Sequence, residues 1–488
     1  MSNSVFAGLQ PAIVWQHFAT LCATPRMSKQ EGALRQQIQA WAEAHGLAVT
    51  VDAAGNLLLR KPATPGREAA PGVVLQAHLD MVCQKNGDSA HDFSRDPIVP
   101  IQREGWLQAV GTTLGADNGI GVALILAALE DTSLVHGPLE ALLTVDEEAG
   151  MGGARGLAPG LLQGRLMLNL DTEAWGEFYL GCAGGLDVDV QREDEGEPLP
   201  DGWTVRRIAL RGLRGGHSGV DIHEERGNAI KLLVNVLHDL AGALPYRLVA
   251  LQGGTARNAL PREAFATLAL PDAGGLGAWL ERRQRALREW LRDVDEGVTL
   301  TAEAAQAECV LDHQAQFVWL ASLHAAPHGV RRMSRQLPGV VETSNNLGMV
   351  DIGPAGGRCN FMVRSLVDGA ATALADEIVS LFALSGSAAE ASGQYPGWRP
   401  NPDSALLQTC QAVYRRDFAS ESTVQVIHAG LECGIIGAKY PGLDIVSFGP
   451  TIRGAHAPGE AVEIAAVGRC WDLLKAILGE LAQREGRV

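Results

Sequence analysis

Apolar residues recur at helical spacing from Trp15 to His45, on either side of Pro25, with Gln, Glu and Arg gathered on one face. Alternating or wholly apolar runs follow at Leu47–Val51, Leu57–Leu59 and Val73–Gln76, and the last leads into Ala77-His78-Leu79-Asp80. Gly119 to Leu129 reads as an apolar helix. Leu139–Val145 and Leu166–Leu170 read as buried strands, the second ending at Asp171. Strands alternating with helices predict a mostly parallel α/β sheet. In such sheets functional groups collect at the carboxyl ends of the strands.

From about Gly184 the pattern becomes α+β. Strand-like Asp187–Gln191 and Val205–Leu210 lead into a glycine-rich turn. Amphipathic helices are expected at Asn228–Leu240 and Leu276–Val294, and strands at Val298–Ala302, Gly348–Ile352 and Arg358–Val363. The turn-rich stretch from Gly393 to Pro402 marks a boundary. Helix and strand then alternate again through Ala405–Phe418, Thr423–Ile427, Ile445–Phe448 and Ile464–Gln483. The expected organisation is a discontinuous α/β domain, residues 1–184 and 393–488, with a second domain, residues 185–392, inserted.

Composition narrows the function. A chain of 488 residues exceeds one typical core. Its 46% hydrophobic and 20% charged residues are those of a globular protein. A formal net charge of -16 argues against nucleic acid as a partner, because backbone binding needs a basic face. Met1 to Gln10 lacks the pattern of a signal peptide, and no stretch approaches the roughly 20 apolar residues of a membrane helix. The eight cysteines are scattered with no C-x-x-C pair, which predicts a reduced, cytoplasmic protein with mostly buried thiols.

Five short clusters place His or carboxylate at or just after predicted strand ends. They are Gln76-Ala-His78-Leu-Asp80, Leu114-Gly-Ala-Asp117-Asn118-Gly119, Val145-Asp146-Glu147-Glu148, Leu168-Asn-Leu-Asp171-Thr-Glu173 and Gly454-Ala-His456-Ala-Pro-Gly-Glu460. Any one has an ordinary explanation as a turn, a helix cap or a solvated face. Several of the carboxylates, however, follow apolar strands, where an unpaired charge is costly. Imidazole mixed with carboxylate suits zinc, with manganese or cobalt as substitutes.

These clusters, together with Gly215-Gly216-His217-Ser218-Gly219, resemble the co-catalytic zinc peptidase family that includes aminoacylase, carboxypeptidase G, peptidase T and carnosinase, and within it the dipeptidases. The resemblance implies a phosphorylase/hydrolase-like zinc-peptidase catalytic domain with an inserted, ferredoxin-like α+β lid. It also implies two Zn2+ per chain: His78 and Asp171 on one, Glu148 and His456 on the other, and Asp117 bridging both. Asp80 would orient His78. Glu147 would be the general base for the attacking water. The Asp117-Asn118 peptide bond would be cis.

For the substrate, the resemblance implies His217 as a donor to the oxyanion and Arg364 as the fork for a terminal carboxylate. Asn258 would be a further contact, and Asn345 and Asn346 stand unranked beside it. The other histidines in the insert, His223, His313, His324 and His328, read as structural or exposed. The insert is roughly double the single lid of many relatives, which predicts an internally doubled lid acting within its own chain, in a monomer or a homodimer. The expected activity is dipeptide hydrolysis, Xaa-His substrates included. The alternatives are an aminoacylase, tripeptidase or carboxypeptidase of the same fold, or a non-catalytic metal-binding or regulatory relative.

Overall fold

A computed structural model describes residues 5–484, so the ends of the predicted first and last segments lie outside the described residues. The chain forms two compact units. One runs up to Gly181, takes in Pro400–Val426 and resumes at Leu431; the other is Cys182–Arg399 with Ile427–Gly430.

The first unit is built on an eight-stranded sheet in the order Ala48–Val51, Leu57–Lys61, Leu139–Thr144, Val73–His78, Leu166–Asn169, Asp444–Ser447, Glu177–Cys182, Thr423–Ile427. Every residue of Val73–His78, Leu139–Thr144 and Leu166–Asn169 is buried, which is why these strands read as continuous rather than alternating apolar runs. These three and Asp444–Ser447 run parallel. The flanking pairings are antiparallel, so the sheet is mixed rather than mostly parallel. The reversal at one edge has a local cause. Asp52 accepts the N–H groups of Ala54 and Asn56, both at 2.9 Å, and this tight turn joins Ala48–Val51 to Leu57–Lys61 as a hairpin.

The second unit contains a nine-stranded sheet whose topology shows an internal doubling. Thr204–Arg211, helix Ala229–Ala241, Arg247–Gly253, Ala264–Leu270, helix Leu276–Trp290 and Thr299–Ala304 form one βαββαβ unit, with its strands in the spatial order 4-1-3-2. Gly184–Glu193, helix His313–Ala325, Val341–Gly353, Gly356–Ser365, helix Asp368–Leu384 and Ala388–Tyr395 form another in the same order. Both are ferredoxin-like. They meet through their second strands, which pair antiparallel at Leu251↔Ile352 and Gly253↔Val350. The two halves are nested rather than laid end to end, because the first sits between the opening strand and the first helix of the second.

Leu186, Val188, Val190, Ile208 and Leu210 alternate along their strands and join helix residues such as Leu233, Leu237 and Trp319 in one core. Two of these helices start on side-chain caps: Asn228 accepts from Lys231 N at 3.1 Å, and Asp312 from Ala315 N at 2.8 Å. Among the described residues no helix is long and apolar enough to cross a membrane. Of the eight cysteines six are buried, Cys83 is half-buried and Cys309 is exposed.

Candidate active site

The first unit brings the predicted metal ligands together at the carboxyl ends of its parallel strands. His78 closes Val73–His78, Glu147 and Glu148 follow Leu139–Thr144, and Asp171 follows Leu166–Asn169. Asp117 sits near the start of the buried helix Ala116–Glu130, where its backbone is non-helical and the Asp117-Asn118 bond is cis. His456 adopts a left-handed conformation, with φ 64°, in the loop after Ile452–Arg453.

Asp117 lies between the two histidines. His78 Nε2 is 3.2 Å from Asp117 Oδ1 and 3.4 Å from Asp171 Oδ1. His456 Nε2 is 3.1 Å from Asp117 Oδ2 and 3.3 Å from Glu148 Oε2. Ligand atoms of His78, Asp117 and Glu148 all lie within 4.8 Å of one another, the spacing of a metal site. The donor set suits a divalent cation on two further grounds. Glu148 Oε1 is buried with no hydrogen-bond partner. Hydrogen bonds to Asp117 and Glu148 push His456 up to about 11, and His78 too stands well above the ordinary imidazole range despite burial, held there by Asp171, Asp117 and Asp80. The cluster therefore attracts positive charge.

Asp80 is fully buried and engaged. It accepts from Ser28 Oγ at 2.7 Å and from the backbone N–H groups of Glu147 and Glu148 at 3.0 and 3.1 Å. His78 Nδ1 lies 3.4 Å from its Oδ1, which turns Nε2 toward Asp117 and Asp171. These partners hold Asp80 ionised, well below the usual carboxylate range. Glu147 stands well above that range: burial raises it, Asp171, Glu148 and Glu432 add to the rise, and His78 opposes them. Burial likewise lifts Asp171 to about 6. A carboxylate whose surroundings favour its protonated form is suited to accepting a proton.

Three groups around this cluster were given no role from the sequence. Glu460 is buried and accepts four successive backbone N–H groups: Leu114 at 2.8 Å, Gly115 at 2.9 Å, Ala116 at 2.7 Å and Asp117 at 3.2 Å. On the carbonyl side of the same loop, the buried guanidinium of Arg26 donates to Gly115 O, and to Leu79 O and Asp80 O at 2.9 Å each. Opposite charges thus grip the loop that presents Asp117. Glu432 accepts from Gln76 Nε2 at 2.7 Å and Thr144 Oγ1 at 2.5 Å, and burial pushes it up to about 7. Gln76 in turn accepts from Asn169 Nδ2, and Asn169 Oδ1 takes the backbone N–H of Asp171 at 3.2 Å. Glu460 was visible in the sequence only as a member of the His456 cluster.

The second unit gathers the predicted substrate-contact residues. Gly216–His217 pairs with Ala259–Leu260, and Ser218 N donates to Asn258 O at 2.8 Å, so His217 and Asn258 are neighbours. His217 Nδ1 accepts the N–H groups of Gly219 and Val220 at 3.2 and 3.0 Å, which leaves the ring proton of the neutral form on Nε2 as a donor. Gly219 is required where it stands: a Cβ there would meet His428 O at 2.0 Å and Arg364 Cδ at 3.0 Å. Arg364 is buried and donates to Tyr395 Oη at 2.9 Å, while its Nε has no partner. The amide of Asn346 donates to Arg257 O at 3.1 Å and Ala259 O at 2.9 Å and so fixes the loop that carries Asn258. Asn345 donates to Pro327 O at 2.6 Å. His428 and Tyr395 went unremarked in the sequence. His428 bonds Ser344 Oγ at 2.8 Å, and burial and the charge of Arg364 push it down to about 3, so it is neutral.

The family model described as peptidase family M20/M25/M40 matches residues 74–480. The chain is 44% identical over 481 residues to the cytosol non-specific dipeptidase of Escherichia coli (strain K12), covering 98% of this chain and 99% of the relative. It superposes on the crystal structure of aminoacylhistidine dipeptidase from Vibrio alginolyticus with a TM-score of 0.88 at 44% identity, covering 98% and 99% of the two chains. A tripeptidase from Staphylococcus aureus shares the fold, with a TM-score of 0.56 at 16% identity over 98% of this chain and 100% of that one. With most of its length matched by the family model and nearly all of it by these dipeptidases, this chain belongs to peptidase family M20/M25/M40.

Proposed function

We infer that the chain is a metallo-dipeptidase holding two divalent ions, and the observation that carries this is the placement of Asp117. Its two oxygens face different histidines, Oδ1 toward His78 and Oδ2 toward His456, as a carboxylate shared between two ions requires. His78 and Asp171 would hold one ion and Glu148 and His456 the other. Zn2+ is the proposed metal, with Mn2+ or Co2+ able to substitute. When bound, the pair supplies Lewis acidity that acidifies water and polarises a carbonyl.

The chain's own residues do the rest. Glu147 takes a proton from the attacking water and returns it to the leaving nitrogen. Asp80 holds the His78 ring in its ligand orientation. Nε2 of His217 is the proposed donor to the oxyanion, with Arg364 as the fork for the terminal carboxylate and Asn258 as a further contact. The names of the relatives from Escherichia coli and Vibrio alginolyticus support dipeptides, Xaa-His among them, as substrates, and the first supports a cytoplasmic setting. The doubled lid supports a chain that is active as a monomer.

The test is turnover of a panel of Xaa-His dipeptides, Gly-Gly-type dipeptides, tripeptides and N-acyl amino acids, with metal content measured on the same sample. Hydrolysis of the dipeptides above the other classes is expected. Preference for tripeptides or N-acyl amino acids would favour another amide hydrolase of this fold. Full metal content without turnover would mark a non-catalytic relative.

A further inference from the structure

We propose that Glu173 binds the α-ammonium group of the substrate, an inference that rests on the dipeptidase reading. A dipeptide differs from an N-acyl amino acid in carrying this charge beside its scissile bond. The ammonium nitrogen is about 2.5 Å from the carbonyl carbon that is attacked. A site that holds that carbonyl must also take an ammonium in the same small space, and leaving it without an acceptor is costly.

Most carboxylates around the cluster are already committed. Asp117, Glu148 and Asp171 are ligand candidates, and Glu147 is the base. Asp80 is buried on Ser28 and two backbone N–H groups. Glu432 is buried on Gln76 and Thr144. Glu460 is buried on four backbone N–H groups.

Glu173 differs from all of these. It is solvent-exposed, and its carboxylate makes no hydrogen bond or ion pair with any described residue. Its backbone is anchored, since its carbonyl accepts Ile452 N at 3.0 Å. It lies two residues beyond Asp171, in the connection after strand Leu166–Asn169, with buried Thr172 between them. Its neighbour in that bond, Ile452, opens strand Ile452–Arg453, which leads into the His456 loop, so Glu173 stands between the Asp171 and His456 segments, within reach of the charges of Asp117 and His456. An exposed, unengaged carboxylate beside the reacting centre is what a free amino terminus requires.

The test uses the metal-loaded full chain carrying Glu147→Gln, which removes the base, and compares it with the Glu147→Gln/Glu173→Gln double variant. Titration calorimetry measures binding of Ala-His and of N-acetyl-Ala-His to each. Loss of one charge-assisted contact predicts Ala-His binding weakened about ten- to hundredfold, with N-acetyl-Ala-His binding unchanged. In the otherwise native chain, Glu173→Gln should raise KM for dipeptides by a similar factor, and metal content should stay the same. Equal losses for both ligands, or no loss for Ala-His, would overturn the role of Glu173 while leaving the dipeptidase reading intact. Failure of the native chain to hydrolyse any dipeptide would overturn that reading, and the inference with it.

Discussion

Glu460 and Asp117 are separated by 343 positions in the chain, yet the carboxylate of Glu460 accepts the backbone N–H of Asp117 at 3.2 Å. The same carboxylate takes the three preceding N–H groups, and Glu460 stands four residues after His456, whose ring is 3.1 Å from the Asp117 side chain. One buried anion therefore ties two ligand-bearing loops to each other. Glu460→Gln would set an NH2 group against backbone donors. We expect it to cost about 1–3 kcal/mol of stability and to weaken binding of the ion shared by Asp117 and His456. Thermal unfolding with and without metal measures both; a variant with unchanged metal affinity would show that the clamp does not act on the ligands.

Metal content is the most direct check on the site. Five ligand side chains with one shared carboxylate serve two ions, so two divalent ions per chain are expected, and a chelator should abolish activity. A single tightly held ion, with His456 dispensable, would refute the arrangement.

Protons compete with those ions. His456 is pushed up to about 11 and Asp171 to about 6, and both must be deprotonated to act as ligands. Metal affinity should therefore rise with pH across the neutral range, and binding should release protons. Calorimetry in buffers of different ionisation enthalpy counts them. Affinity independent of pH would contradict these assignments.

The neighbouring carboxylates should separate cleanly by mutation. Glu147→Gln should keep both ions and lower kcat by about a hundredfold to ten-thousandfold, the usual worth of a general base. Glu148→Ala should lose metal. Near-normal kcat in Glu147→Gln would show that another group takes the proton.

The lid can be tested through its chain of origin. If His217 serves the ligands of its own chain, mixing His217→Ala with Glu147→Gln under conditions of subunit exchange should restore no activity. Clear recovery would show that His217 acts across a dimer, against the role proposed for the doubled lid.

The candidate ligands stood out in the sequence because of where they lie, and the resemblance then suggested their roles. His78, Glu148 and Asp171 end or follow runs of buried strand, and a charged group at such a place needs a partner, so local hydrophobic pattern and residue chemistry point to it together. The same holds for the doubled lid, where the length of the insert and its repeated strands and helices were enough to expect two halves.

What the pattern could not contain are the contacts that join distant segments. Arg26 reaches the loops at 79–80 and 115, Glu432 reaches Gln76, and His428 reaches Ser344; each depends on backbone positions that only the folded chain brings together. The nesting of one lid half inside the other belongs with these, since it is defined by which strands pair, and periodicity reports a strand's faces but not its neighbours. The sequence alone thus determined which residue types stand at the strand ends, and with the resemblance it suggested their chemistry. Tertiary structure decided what holds those residues in place, because hydrogen bonds between distant segments depend on the path of the backbone and leave no local periodic mark.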